Sequence, residues 1–138
     1  MVNQTENKKD RTILLKGRVS HGLGEGAKFV GFPWAEKQIR EKLGFTPYPG
    51  TLNIKLERNC IEYLKILRNA YGVEITPPNG YCSGKCFKAY LMDNFECAVV
   101  IPEVKGYPED LVEVIAPLNL RRHFKLKDGD IIMVKVEF

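Results

Sequence analysis

Punctuation constrains this chain more than any other feature. Short runs of β-branched and apolar residues recur along it, separated by clusters of Gly, Pro, Asn and Asp. Runs of this length read as strands. The first strand is predicted over residues 12–19. Residues 51–56 alternate, with Leu52, Ile54 and Leu56 on one face and Thr51, Asn53 and Lys55 on the other. A short strand is predicted over 73–75, before the turn Pro77-Pro78-Asn79-Gly80. Residues 81–92 and 95–101, joined by Asp93-Asn94, read as a hairpin. In the strand over 111–115, Leu111, Glu113 and Ile115 share one side and Val112 and Val114 the other. A tight turn at 127–130 leads into a closing strand over 131–138. Many short strands with two or three short helices argue for a mainly β fold, a small β-barrel.

The helices are sparse. Pro33 suits a first helical position, and Ala35, Ile39 and Leu43 then recur every four residues along one face. Glu36 and Arg40 form a favourable i,i+4 pair, and Gly44 is a good stop. This helix is expected to cover one opening of the β-structure. A second short helix is predicted over 60–71, where Ile61, Leu64, Leu67 and Tyr71 fit helical spacing. Residues 28–32 read as a short strand leaving the first loop. Residues 117–127 read as a turn of helix with a basic cluster of Arg121, Arg122, His123, Lys125 and Lys127.

A length of 138 residues fits one core. The expected organisation is a polar tail over 1–10 and a single barrel domain over 11–138. With 21 basic against 17 acidic residues, the net charge of +4 does not argue for nucleic acid and suits an anionic small ligand equally well. No apolar run approaches membrane-spanning length, and the start MVNQTENKKD lacks the apolar stretch of a signal peptide. A cytoplasmic monomer, without membrane or nucleic-acid partners, is the expectation. Cys82 and Cys86 stand at a spacing that zinc ligands can use. No second ligand pair accompanies them, so buried or incidental thiols are the plainer reading of the four cysteines.

Three places carry candidate chemistry. Glycines at 17, 22, 24 and 26 crowd the end of the first strand. Such a loop is either a plain turn or a row of backbone amides open to a phosphate. It is not a P-loop: at Gly84-Lys85 the nearest match has Asn79 for the first glycine and Cys86 for Ser or Thr. Gly22-Leu23-Gly24-Glu25-Gly26-Ala27 echoes the dinucleotide pattern, but the strand–helix repeat of that fold is missing. Thr51 and Asn53 stand side by side, fit either for a hard cation such as Mg²⁺ or for a solvent-facing strand edge. Glu113 shares its face with apolar neighbours. It must meet a donor or lean into a cleft, because an unpaired buried charge is expensive. A general base, a ligand anchor and an ordinary edge-strand Glu all fit.

Three blocks in order, LKGRVSHGLGEGAKFV, PYPGTLNIKL and YPEDLVEVIAPLNLR, resemble the archaeal CTP-dependent riboflavin kinases. The likeness runs from about Ile13 to the C-terminus. It implies a six-stranded cradle-loop barrel. The implied activity is transfer of the γ-phosphoryl of CTP to the 5′-hydroxyl of riboflavin, giving FMN and CDP with Mg²⁺. By that resemblance Gly22, Leu23, Gly24, Glu25, Gly26 and Ala27 would wrap the nucleotide phosphates, and Leu118, Asn119, Leu120 and Arg121 would close over the nucleotide. Thr51 and Asn53 would hold Mg²⁺. Glu113 would contact the flavin side and could serve as the base. The family often carries Arg-Thr before the tyrosine at 107, whereas this chain reads Val104-Lys105-Gly106. Lys105 thus stands where a flavin contact is expected. Competing readings are a flavin- or nucleotide-binding barrel without turnover and a DNA-binding barrel module.

Overall fold

A computed structural model describes residues 11–22, 24–92 and 94–138. Seven strands follow in chain order: β1 (Thr12–Ser20), β2 (Leu52–Leu56), β3 (Val73–Ile75), β4 (Gly84–Leu91), β5 (Phe95–Pro102), β6 (Leu111–Ile115) and β7 (Ile131–Glu137). Four α-helices punctuate them: α1 (Glu25–Val30), α2 (Pro33–Leu43), α3 (Ile61–Asn69) and α4 (Leu120–His123).

Six strands close a barrel in the order β4-β5-β6-β2-β1-β7, with β7 returning to β4, and every pairing is antiparallel. One edge of β4 serves two partners. Its first residues, Gly84 to Cys86, pair with β3, and Ala89 to Leu91 pair with β7. The barrel expected from strand spacing is therefore the fold. Closure forces one close approach: a Cβ at Gly17 would lie 2.3 Å from the Lys55 carbonyl oxygen, so only glycine fits where β1 crosses β2.

The strand pattern explains two separate cores. Inward residues such as Leu15, Ile54, Val99, Val114 and Val134 fill the barrel. A second core lies outside the wall, where Cys86, Ala98, Val100 and Ile115 meet Phe29 and Val30 of α1 and Ala35 and Ile39 of α2. This is why β5 is apolar on both faces. Each fully buried aliphatic side chain contributes about 1.5–3 kcal/mol.

Three expectations need correction. Residues 28–32 are not a strand, for α1 occupies 25–30. Gly26, Phe29 and Val30 are its buried residues, and their i, i+3, i+4 spacing is helical. Second, α2 runs from Pro33 to a left-handed Gly44 as predicted, yet it covers the outer wall and not an opening. Its stripe of Ala35 and Ile39 is narrow and needs a flat apolar surface, which the outer faces of β4 to β6 supply. The barrel interior is joined from its two ends by Leu64 and Leu67 of α3 and by Leu120 of α4. Tyr71, which fits the spacing of the second predicted helix, lies beyond the end of α3 at Asn69 and is 93% exposed. Third, the hairpin begins at Gly84, not 81. Tyr81 instead packs edge-on against Phe32, which stacks on Trp34. Asp93 of its turn lies outside the described residues. No helix among the described residues is long and apolar enough to cross a membrane.

Candidate active site

Glu113 sits in the middle of β6 on the outer face of the barrel. Register places Asn53 of β2 opposite it on one side and Val100 of β5 on the other. It is 1% exposed. A carboxylate taken this far from water must be hydrogen-bonded, and three groups from three parts of the chain donate to it. The Thr51 hydroxyl donates to Oε1 at 2.6 Å. The Gly26 amide donates to Oε2 at 3.0 Å. The Tyr107 hydroxyl also donates to Oε2. Burial, and then the carboxylate as acceptor, push the Tyr107 pKa upward, so the phenol keeps its proton at neutral pH.

The glycines of the first loop acquire individual reasons. A Cβ at Gly22 would lie 1.9 Å from Asn53 Oδ1, and one at Gly26 would lie 2.2 Å from Glu113 Oε1. Gly24 meets nothing within 4 Å, but its φ of +83° is left-handed and precedes α1. The loop is glycine-rich because Asn53 and Glu113 lie directly against its backbone. Of the other loop residues, Glu25 lines a separate cavity of about 240 Å³ with Lys28, Phe29 and Tyr81. Ala27 is half-buried on α1, and Leu23 lies outside the described residues.

Asn53 Oδ1 is buried and has no hydrogen-bond partner among the described residues. Such an orphaned acceptor beside a hydroxyl and a carboxylate is an all-oxygen set. It fits a hard cation, which typically takes one or two protein oxygens and completes its shell with water and phosphate. No group of three or more His, Cys, Asp or Glu that could hold a metal occurs among the described residues. Cys82 is exposed, whereas Cys86 is buried in the outer core.

The segment after β6 builds a second wall. A cavity of about 170 Å³ is lined by Tyr48, Thr51, Leu118, Asn119, Leu120 and Arg121, among others. Asn119 caps α4 by accepting from the Arg122 amide at 3.0 Å, and its Nδ2 donates to the Tyr48 hydroxyl at 3.3 Å. Leu120 borders this cavity, although its side chain is buried in the barrel interior. Arg121 donates to the Ser20 carbonyl at 3.1 Å. Thr51 thus borders both the carboxylate cluster and this cavity.

Lys105 is not brought against Glu113. It lines a cavity of about 380 Å³ with Arg68, Lys85, Glu103 and Tyr107. Tyr107 connects the two, since its hydroxyl reaches Glu113. Lys85, beneath that cavity, donates to the Arg68 and Ala70 carbonyls at 2.5 and 2.6 Å, and burial lowers its pKa. Sequence reading missed Tyr107 and Tyr48 as site residues. Both lie within quoted blocks, yet a tyrosine next to a proline carries no periodic signal that aims its hydroxyl.

The CTP-dep_RFKase family model, described as "Domain of unknown function DUF120", matches residues 19–136. A protein of Pyrobaculum aerophilum named riboflavin kinase is 46% identical over 129 residues, covering 91% of this chain and 61% of that protein. Riboflavin kinases of Methanosarcina barkeri and Archaeoglobus fulgidus are each 40% identical, covering 89% and 91% of this chain and 56% and 55% of theirs. This chain therefore spans little more than half the length of these relatives. A match across nearly the whole barrel means that the chain belongs to the CTP-dep_RFKase family, the CTP-dependent riboflavin kinases.

Proposed function

We propose that this chain catalyses transfer of the γ-phosphoryl group of CTP to the 5′-hydroxyl of riboflavin, yielding CDP and FMN. The carrying observation is the convergence of Thr51, Asn53 and Glu113, with an orphaned Asn53 oxygen, between two segments suited to a nucleotide. The relatives named riboflavin kinase support the same reading.

Phosphoryl transfer needs positioning and charge neutralisation more than covalent chemistry. In this reading the backbone of Gly22, Gly24, Glu25, Gly26 and Ala27 borders the phosphates, and Leu118 to Arg121 closes over the nucleotide. Thr51 and Asn53 hold Mg²⁺ by their side-chain oxygens. When bound, the ion supplies charge neutralisation at the phosphate oxygens. Glu113 turns the Thr51 proton toward itself, which leaves the hydroxyl lone pairs facing outward.

The acceptor enters by the cavity of Lys105 and Tyr107. Of the three donors on Glu113, only the Tyr107 hydroxyl belongs to a residue lining that cavity. The ribityl 5′-hydroxyl replaces it on Oε2. As the oxygen attacks the γ-phosphorus, its proton passes to Glu113. The bond to the β,γ-bridging oxygen breaks, and its electron pair leaves with CDP. Lys105 stands at the mouth of the cavity as a flavin contact.

The test is direct. The purified chain, incubated with riboflavin, CTP and Mg²⁺, should form FMN and CDP in equal amounts, with ATP a poorer donor. Absence of FMN with every nucleoside triphosphate would end the kinase reading. Binding of riboflavin and CTP without turnover would identify a binding module.

A further inference from the structure

Two segments assigned above to the nucleotide are far apart in sequence, and one carboxylate that belongs to neither touches both. Asp128 Oδ2 lies 2.8 Å from His21 Nδ1, at the entry to the glycine loop. Its Oδ1 lies 2.6 Å from Arg121 Nη2, on α4. The same Arg121 nitrogen donates to the Ser20 carbonyl, so the arginine bridges loop entry and turn at once.

The turn that carries Asp128 is hydrogen-bonded to β1. The Gly129 amide donates to the Val19 carbonyl at 2.7 Å, and the Val19 amide donates to the Asp130 carbonyl at 2.8 Å. Arg18 Nη1 donates to the Gly129 carbonyl at 3.0 Å. Asp130 Oδ2 accepts from the Lys127 amide at 2.8 Å, and Gly129 takes the left-handed φ of +93° that closes the turn. The turn is thus stitched to the end of β1, where the glycine loop begins. The two bonds also hold the Asp128 carboxylate in its charged form, below its ordinary range, with Arg121 the larger cause.

We propose that Asp128 is a positioning residue that ties the glycine-loop entry at His21 to Arg121 of α4, and so sets the width of the opening into which CTP binds. The inference rests on the nucleotide reading of those two segments. It makes a prediction whose sign runs against simple charge. Asp128 adds a negative charge beside a site for a polyanion, so by Coulomb's law alone its removal should tighten CTP binding. A tether predicts the reverse, because a loosened site loses its preorganisation.

Two measurements on the full chain test this. In nucleotide-free protein, Asp128→Ala should speed amide hydrogen exchange in peptides covering 20–27 and 119–123, and Asp128→Glu should restore part of the protection. Equal exchange in wild type and Asp128→Ala would overturn the tether. In titrations with CTP and Mg²⁺, Asp128→Ala should raise Kd by about tenfold, a coupling of ordinary size. Riboflavin binding, measured by flavin fluorescence, should be unchanged. Unchanged or tighter CTP binding would overturn the proposal. So would equal weakening of both ligands, which signals general damage. If the wild-type chain binds no CTP, the CTP assignment falls and with it the claim about the width of the CTP opening, and the exchange measurement alone decides the tether.

Discussion

The Gly26 amide donates to Glu113 Oε2 at 3.0 Å across 87 residues of sequence, and a Cβ on Gly26 would stand 2.2 Å from the other carboxylate oxygen. Helix α1 is seated on Glu113, the one buried carboxylate among the described residues. The contact seals Glu113 from water and supplies one of its three donors. It also fixes where the glycine loop ends.

Gly26→Ala should therefore do more harm than Gly24→Ala. At 26 the added methyl must push either α1 or the carboxylate, an overpacking of about 1–3 kcal/mol. FMN formation should fall at least tenfold with it. At 24 the methyl meets open space, and only the left-handed backbone resists, at about 1–2 kcal/mol. Thermal unfolding and initial rates of both variants check the order. Equal activity loss would remove the distinction.

Glu113→Gln keeps the shape and removes the charge. The amide turns a donor toward a pocket that already holds three, so at least one of Thr51, Gly26 and Tyr107 loses its acceptor. Turnover should drop about 100- to 10,000-fold, the range of general-base contributions. Binding of CTP should change far less. A variant with near-wild-type kcat would exclude Glu113 as the base.

Asn53→Ala separates metal binding from folding. The Asn53 oxygen is already unsatisfied among the described residues, and a buried polar atom in that state costs about 1–3 kcal/mol. Its removal should leave the melting temperature nearly unchanged while raising the Mg²⁺ concentration needed for half-maximal rate by tenfold or more. Mn²⁺ binding followed by electron paramagnetic resonance gives a readout that does not depend on turnover. An unaltered metal requirement would remove Asn53 from the metal site.

The thiols should divide one against three. Cys60, Cys86 and Cys97 are buried, and burial pushes Cys86 and Cys97 up to about 12. At pH 8 their reactive thiolate form is then a minute fraction, whereas Cys82 lies exposed to reagent. A chromogenic thiol reagent should titrate one group quickly in native protein and four after unfolding. Two or more fast thiols would show that the barrel interior or the outer core opens readily.

Tyr107→Phe should leave the barrel intact and remove one donor from Glu113. A hydrogen bond to a charged group contributes about 1.5–3 kcal/mol, so unfolding stability should fall within that range. If the riboflavin hydroxyl replaces Tyr107 on the carboxylate, the riboflavin KM should fall, or hold, while kcat changes little. A large rise in that KM would mean that Tyr107 binds the substrate itself.

Local pattern alone determined the strands, the α2 helix and the faces of β2 and β6, because alternation and helical spacing are set by nearest neighbours in the chain. It also placed Glu113 among apolar residues, where it had to meet a donor or lean into a cleft. Tertiary structure decided which donors: Thr51, Gly26 and Tyr107 meet the carboxylate only because β2 pairs with β6 and α1 folds back over the wall. It decided that residues 25–30 are a helix, since burial of Phe29 and Val30 in the outer core outweighs their strand propensity. It decided as well that Gly22 and Gly26 answer to protein side chains. Spacing shows where glycine stands, but what presses against it comes from parts of the chain that only barrel closure brings near.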